Sequence, residues 1–201
     1  MEKIKYALIG CGRISPNHIA AVLNNQDNLE LVAVCDPIAD HMERILEPLG
    51  EKASEVQRFC DYHEMLRKVQ PSLCAIATES GKHAAIALDC IDAGCHLIVE
   101  KPIALSLEDA DEMIRRAEER GTLLCACHQN RFNKSIQKIR QALESGRFGH
   151  LLHGAAHIRW ARNRGYYEQA PWRGTWAQDG GALMNQCIHN IDLLRWMMGD
   201  E

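Results

Sequence analysis

The chain has 201 residues, of which 46% are hydrophobic and 25% are charged, as in ordinary globular proteins. Its net charge is -4 and it has no long basic run, so nucleic acid and anionic membranes are poor candidates as partners. No apolar stretch is long enough to cross a bilayer, and the strand pattern that follows Met1 is not the pattern expected of a secretory leader. The nine cysteines are scattered, mostly within apolar patterns, which favours reduced thiols in a cytoplasmic protein.

The first apolar run ends at a glycine-containing turn, residues 10–15, which leads into a helical pattern and a second apolar run that ends at Asp36. Strand, glycine turn, helix, strand and acid in this order form the fingerprint of a dinucleotide-binding unit, here with Ser15 in place of the third glycine. Gly10 permits a tight turn, and Gly12 lets the backbone approach a pyrophosphate. The alternative is an ordinary βαβ turn followed by an incidental acid.

Asp36 also indicates which dinucleotide binds. It comes directly after a strand, where the acid that binds the adenosine ribose belongs. A carboxylate can accept hydrogen bonds from both ribose hydroxyls of NAD but repels the 2′-phosphate of NADP, and Pro37 offers no compensating cation. The predicted cofactor is therefore NAD.

Apolar runs alternate with helical patterns up to about residue 127. The predicted strands cover residues 6–9, 29–35, 59–60, 73–78, 96–99 and 123–127. Near-continuous apolar strands that alternate with helices are typical of a parallel sheet covered on both faces. We therefore predict an α/β fold in which residues 1–127 form a Rossmann-type doubly wound parallel sheet.

A lysine follows the fifth predicted strand. The chain there reads Val99-Glu100-Lys101-Pro102, which places the lysine beside an acid, before a proline, at the carboxyl end of a buried strand. Ligands of open α/β sheets bind at that edge. A lysine with a fixed position in a shielded setting can act as a proton donor, so Lys101 is a candidate catalytic residue. The alternative is a solvated loop lysine.

The pattern changes at residue 128, where we place the boundary of a second domain, residues 128–201. A predicted helix, residues 133–145, precedes residues 151–160, in which His153, His157 and Arg159 alternate with residues of the other face. Such alternation is typical of a half-exposed strand in an antiparallel sheet. The histidines are too far apart along an extended strand to hold one small ion, so we expect no metal site.

Residues 161–178 are irregular in pattern and rich in arginine and aromatic residues, including Arg173. Guanidinium groups recognise phosphates and carboxylates, and aromatic rings can stack on ligand rings. A loop of this composition is typical of a lid or substrate clamp; the alternative is a surface loop anchored by its tryptophans.

A final helix is predicted over residues 182–198. Asn185, His189 and Asp192 recur at helical spacing and share one face. A histidine that a helix carries toward a cleft can transfer a proton, so His189 is the second candidate catalytic residue. The alternative is a buried histidine with satisfied hydrogen bonds.

Three motifs together resemble one known family, the Gfo/Idh/MocA oxidoreductases. They are Gly10-Cys11-Gly12-Arg13-Ile14, then Ala93-Gly94-Cys95-His96 leading to Glu100-Lys101-Pro102, and Gly180-Gly181 leading to His189-Asn190-Ile191-Asp192. The resemblance implies a Rossmann domain followed by part of a second α/β domain with an open antiparallel sheet. It also implies oxidation or reduction of hydroxyl carbons of sugars, cyclitols and related molecules with a nicotinamide cofactor.

The resemblance assigns expected roles to particular residues. Lys101 is expected to contact the reacting hydroxyl, and His189 to act as acid or base. The expected cofactor-binding residues are Gly10, Gly12, Arg13, Ile14, Asp36, Thr78, His83, Glu100, Lys101 and Gln129. The expected substrate-binding residues are Arg159, Arg173, Asn185 and Gln186. Many family members have an aspartate where this chain has Asn185.

Residues 170–176 and 183–186 are similar to one branch of the family, the UDP-N-acetylglucosaminuronate 3-dehydrogenases of bacterial surface-polysaccharide (lipopolysaccharide) synthesis. The branch implies oxidation at C3 of a UDP-sugar acid, 2-oxoglutarate as a second substrate, and a homo-oligomeric full-length form. The alternatives are the same chemistry on a free sugar or inositol, and a non-catalytic dinucleotide-binding subunit. Family members continue well past residue 201, so we expect a C-terminally truncated chain that binds NAD but has a mobile last helix and negligible turnover.

Overall fold

The computed structural model describes residues 2–199. Contacts between residues divide the chain into two compact units, and the division falls between Ala126 and Cys127. The boundary expected from the sequence lies one residue further along. Each unit is described by itself below.

The first unit is built on a parallel sheet of strand order β3-β2-β1-β4-β5-β6. The strands are β1 Ile4–Ile9, β2 Leu29–Cys35, β3 Gln57–Phe59, β4 Leu73–Ile76, β5 His96–Val99 and β6 Leu124–Ala126. The order reverses between β1 and β4, which pair side by side, and this is the point at which open α/β sheets bind their ligands. The predicted Rossmann-type doubly wound parallel sheet is confirmed.

Helices follow the strands. They are α1 Ser15–Asn24, α2 Ala39–Leu46, α3 Tyr62–Val69, α4 His83–Asp92 and α5 Leu107–Arg120, with 3-10 segments Glu47–Glu55 and Ser80–Lys82. Successive side chains of a strand point to opposite sides of the sheet. Both faces are buried, because a hydrophobic cluster lies on each of them. In β1, for example, Ala7 belongs to one hydrophobic cluster and Leu8 to the other.

Helix ends agree with their local sequence. The Ser106 side chain accepts a hydrogen bond of 3.1 Å from the backbone N–H of Asp109 and so caps α5, as its sequence predicts. Helix α2 ends at Leu46 and the chain continues as the 3-10 segment Glu47–Glu55, which has a kink at Gly50, where φ is 58°. No helix within the described residues combines the length and apolar character needed to cross a membrane.

The second unit consists of short helical elements. They are a 3-10 segment Gln129–Phe132, α6 Lys134–Glu144, α7 Arg164–Tyr167, α8 Trp176–Asp179, a π-helical segment Leu183–Cys187 and α9 Ile188–Met198. The strand predicted over residues 151–160 does not form, because no segment within residues 2–199 pairs with it to provide a hydrogen-bonded ladder. Leu152 is 87% exposed. The expected open antiparallel sheet is therefore not confirmed.

Candidate active site

The turn after β1 leaves room for a ligand beside the backbone. Gly10 has φ +93°, and a Cβ there would lie 2.6 Å from the carbonyl carbon of Ala77, so only glycine fits. A Cβ at Gly12 would have no described atom within 4 Å, and this open space lets a ligand reach the main chain. Helix α1 begins at Ser15, and its start has no side-chain cap. Uncapped helix starts favour phosphate groups, so this turn fits a pyrophosphate.

Asp36, directly after β2, links that turn to the neighbouring strand end. Its Oδ2 atom accepts a hydrogen bond of 2.8 Å from the backbone N–H of Cys11, and its Oδ1 atom accepts one of 2.9 Å from the N–H of Ile38. The side chain of His41 also lies 3.2 Å from Oδ1. Because a carboxylate has about four acceptor positions, Oδ2 keeps capacity for a ribose hydroxyl. Burial raises the pKa of the Cys11 thiol far above its usual value, so this cysteine is no nucleophile.

Glu100 and Lys101 follow β5 at the same edge of the sheet. Glu100 is 7% exposed, and its Oε1 atom lies 3.2 Å from Nε2 of His18 in α1. The other ring nitrogen of His18, Nδ1, lies 3.1 Å from the hydroxyl of Tyr6. The backbone N–H of Lys101 donates to Oε2 of Glu100 over 3.3 Å. A buried chain of side chains thus connects the core of β1 to the lysine turn.

His83, at the start of α4, reaches the other side of that turn. Its Nδ1 atom lies 2.7 Å from the carbonyl oxygen of Pro102, and its Nε2 atom lies 3.1 Å from the carbonyl oxygen of Thr78. The ring is 1% exposed, and burial lowers its pKa below the usual value although both carbonyls act in the opposite direction. Both ring nitrogens face backbone oxygens, so a direct role of His83 in cofactor binding stays a prediction.

The second unit holds a buried polar cluster. Asp179 is 3% exposed; its Oδ2 atom accepts a hydrogen bond of 2.7 Å from the N–H of Gly174, and its Oδ1 atom accepts one from the side-chain amide of Asn185. The side-chain amide of Gln186 donates to Oδ1 of Asn185 over 2.7 Å. Asn185 is 7% exposed, and this chain of hydrogen bonds orients its amide.

A cavity of about 460 Å³ adjoins this cluster. Its lining includes the predicted substrate residues Arg173, Asn185 and Gln186, whereas Arg159 is exposed and does not line it. Arg173 donates to the Tyr166 hydroxyl over 2.7 Å and lies over the Tyr166 ring at 4.5 Å. The cavity therefore combines a guanidinium group, two phenols, two amides and the carboxylate of Asp179, a set that suits a polar ligand with both hydroxyl and anionic groups.

His189 is 8% exposed and lies in the first turn of α9. Residues 182–198 are helical, as predicted, but the first part is a π-helical segment, Leu183–Cys187, that precedes α9. Asp192, on the same helix, receives hydrogen bonds from the guanidinium of Arg131. Gln129, a predicted cofactor residue, lies in the 3-10 segment at the start of this unit.

Sequence reasoning missed several residues of these two clusters. Tyr6 and His18 read as ordinary strand and helix residues, although His18 stands one turn after the start of α1. Asp179 directly precedes Gly180 and Gly181, and its position before a glycine pair gave no signal of burial. No group of three or more histidine, cysteine or acidic side chains among the described residues is arranged to hold a metal ion.

A phosphate-binding turn at the switch point of a parallel sheet, with an acid after the next strand, defines the class of dinucleotide-binding Rossmann proteins. The chain belongs to the GFO/IDH/MocA oxidoreductase family. Residues 4–128 match the family described as oxidoreductase family, NAD-binding Rossmann fold, and residues 136–201 match the GFO/IDH/MocA C-terminal domain. These matches confirm the predicted family and the predicted cofactor, NAD.

Among solved structures, the chain is similar to the WlbA dehydrogenase of Bordetella pertussis, crystallised with NADH and UDP-GlcNAcA. The two are 38% identical with a TM-score of 0.91, over 99% of this chain and 58% of that one. Among curated relatives, myo-inositol 2-dehydrogenase of Thermotoga maritima is 28% identical over 98% of this chain and 56% of its own length. D-glucoside 3-dehydrogenase of Escherichia coli is 29% identical over 98% of this chain and 54% of its length. The chain thus spans about half the length of these curated relatives.

Proposed function

We propose that this chain acts in an NAD-dependent oxidoreductase that oxidises a hydroxyl group of a sugar. The observation that carries the proposal is the position of Lys101, directly after β5 at the sheet edge that also holds the phosphate turn. In such folds the second nucleotide half lies on the side of the fourth and later strands, which brings the nicotinamide toward this lysine.

The proposed chemistry divides between cofactor and protein. When bound, NAD supplies a hydride acceptor. Its pyrophosphate would be held by the turn that contains Gly10, Gly12, Arg13 and Ile14, and its ribose by Asp36. Lys101 would donate a hydrogen bond to the oxygen of the substrate hydroxyl, and His189 would take the hydroxyl proton as general base.

The substrate that we propose is a UDP-N-acetylglucosaminuronic acid, oxidised at C3. Two features support it: the similarity to WlbA, whose crystals contain this ligand with NADH, and the cavity of the second unit. Arg162 and Arg173 both stack on Tyr166, at 5.2 Å and 4.5 Å, so two guanidinium groups lie near one wall of that cavity. Guanidinium groups bind carboxylates and phosphates in a bidentate way, and this sugar nucleotide carries both.

A second candidate substrate is an inositol or a free sugar. It is favoured by the similarity to myo-inositol 2-dehydrogenase. Such a substrate carries no anionic group, so it would leave the arginines without a partner from the ligand. A non-catalytic dinucleotide-binding subunit is the further alternative. For the complete enzyme we also propose a homo-oligomer in which 2-oxoglutarate re-oxidises the bound NADH.

The test measures NADH formation with UDP-N-acetylglucosaminuronic acid and with myo-inositol, in the full-length gene product. Lys101→Met and His189→Ala should each lower turnover with the sugar nucleotide by about a hundred- to ten-thousand-fold, with NAD affinity nearly unchanged. Lys68→Met and His153→Ala change an exposed lysine and an exposed histidine and serve as matched controls. Normal turnover by His189→Ala would contradict its proposed role, and turnover with myo-inositol alone would favour the second candidate.

A further inference from the structure

We infer that His18 and His83 are positioning residues for Lys101, each of them acting through the residue on one side of it. The inference rests on the proposed function of Lys101 and adds two residues that hold its turn in place. His18 approaches from α1 and contacts Glu100, whereas His83 approaches from α4 and contacts Pro102. Lys101 is the residue between these two contacts.

His18 contacts two side chains, one through each of its ring nitrogens. The Glu100 carboxylate only accepts hydrogen bonds, so Nε2 of His18 carries the proton that lies between them. The other nitrogen, Nδ1, lies 3.1 Å from the Tyr6 hydroxyl and shares a hydrogen bond with it. The three residues are at most 8% exposed, so water cannot easily replace these hydrogen bonds. The carboxylate of Glu100 is therefore held in one orientation, and its Oε2 receives the N–H of Lys101.

The contacts of His83 define a second anchor. Because burial lowers its pKa, the neutral ring prevails at neutral pH and carries one N–H. The shorter contact, 2.7 Å between Nδ1 and the carbonyl oxygen of Pro102, places that proton on Nδ1. His83 thus donates to the backbone just after Lys101, while its Nε2 faces the end of β4 at Thr78.

Two anchors matter because the lysine side chain is long and flexible. Its ammonium group can occupy a defined place only if the backbone that carries it is fixed on both sides. The start of α1, which would bind the pyrophosphate, also carries His18. The same helix therefore fixes the phosphate site and, through Glu100, the lysine turn. A displacement of about 1 Å at a reacting group can cost about a hundredfold in rate.

The experiment uses the full chain, with lysines labelled by reductive ¹³C-methylation and the Lys101 signal assigned by its loss in Lys101→Arg. A glutamine amide reproduces the Nε2 position of a histidine, and an asparagine amide reproduces Nδ1. At position 18 the essential atom is Nε2, so His18→Gln should keep the Lys101 chemical shift and titration, and His18→Asn should change both. At position 83 the essential atom is Nδ1, so His83→Asn should keep them and His83→Gln should change them.

This crossed pattern distinguishes positioning from a general loss of stability. If stability alone were lost, the same amide, glutamine or asparagine, would preserve the Lys101 signal better at both positions. The methyl signal of Lys68, an exposed lysine, is the internal control and should not move. A wild-type Lys101 signal in all four variants, or the same order of variants at both positions, would overturn the inference.

The readout needs no substrate, so it is independent of the proposed reaction. If sugar oxidation is absent and the crossed pattern appears, the proposed function fails and the positioning role of both histidines stands. If oxidation is present, His18→Asn and His83→Gln should lower kcat by about ten- to a hundredfold, with a smaller change in the KM for NAD. A lower kcat without any change of the Lys101 signal would also overturn the inference.

Discussion

Each of the two units of this chain is stabilised internally by a different kind of interaction. All buried hydrophobic residues among the described ones belong to the first unit, where they form one cluster on each face of the sheet. Within residues 127–199 the buried residues are polar: Asp179, Asn185 and His189. One unit is therefore stabilised by apolar burial and the other by hydrogen bonds and ion pairs between side chains.

This difference has an energetic consequence. Burying an apolar side chain contributes about 1.5–3 kcal/mol to the free energy of unfolding, and this contribution does not depend on the orientation of the contacting groups. A typical hydrogen bond contributes only about 0.5–1.5 kcal/mol net and is lost when its geometry changes. We expect the first unit to have the larger free energy of unfolding and the second unit to open more often.

Hydrogen exchange should show the largest contrast. Backbone amides of β1 and β4 should exchange at least about a thousandfold more slowly than those of α9, because opening of a strand in a core requires global unfolding. Exchange measured by mass spectrometry on peptides of both units tests this directly. Equal protection of α9 and β1 would show that the polar unit is as stable as the apolar one.

Within the first unit, two glycines of one turn should respond differently. Gly10→Ala should lower the free energy of unfolding by at least about 2 kcal/mol, because φ is +93° and the new Cβ meets the backbone of Ala77. Gly12→Ala meets no described atom, so it should leave the free energy of unfolding nearly unchanged and weaken NADH binding about tenfold. Denaturant unfolding and NADH fluorescence titration provide the two measurements. Equal loss of stability in both variants would contradict this assignment.

In the second unit, one ion pair should matter more than another. Arg131→Met should lower the free energy of unfolding by ~1 kcal/mol, because both oxygens of Asp192 accept from this guanidinium and the Asp192 side chain is 9% exposed. Arg164→Met is the matched control: its pair with Glu168 is exposed on both sides and should contribute close to zero. Similar changes in the free energy of unfolding for the two substitutions would mean that burial of Asp192 does not strengthen its ion pair.

The smallest expected effect is on pH dependence. Burial lowers the pKa of His83 in the folded protein, so the unfolded chain binds the proton more readily. The resulting stability is present above the unfolded pKa of about 6.5 and is lost as the pH falls through the lower folded pKa. Melting temperatures measured between neutral and mildly acidic pH should therefore fall less in His83→Asn than in wild type. A steeper fall of the melting temperature in the variant would contradict a lowered pKa of His83 in the folded protein.

The contrast also explains which elements the sequence predicts. In the first unit the strands are buried on both faces, so they appear in the sequence as continuous apolar runs. Strands β1, β2 and β5 therefore lie within a few residues of the positions that these runs predict. In residues 151–160 the alternation predicts a strand, but a strand also needs a partner strand, and periodicity does not show whether one exists.

Side-chain networks are the other part that could not be predicted. Asp179 ends α8 and Asn185 lies in the π-helical segment Leu183–Cys187, with Gly180 and Gly181 in left-handed conformations between them, so spacing rules for one ideal helix do not apply. The contact between His18 and Glu100 spans 82 positions and depends on the packing of α1 against the sheet edge. Such contacts follow from the fold rather than from local pattern.

The two outer strands of the sheet are its shortest. Strands β3 and β6 have three residues each, whereas β1 has six and β2 has seven. An exposed strand edge can template the addition of a strand from another molecule, and the risk of such aggregation grows with the length of the edge. Short edge strands limit this risk. Copies of the first unit can therefore reach a high concentration without pairing edge to edge through their sheets.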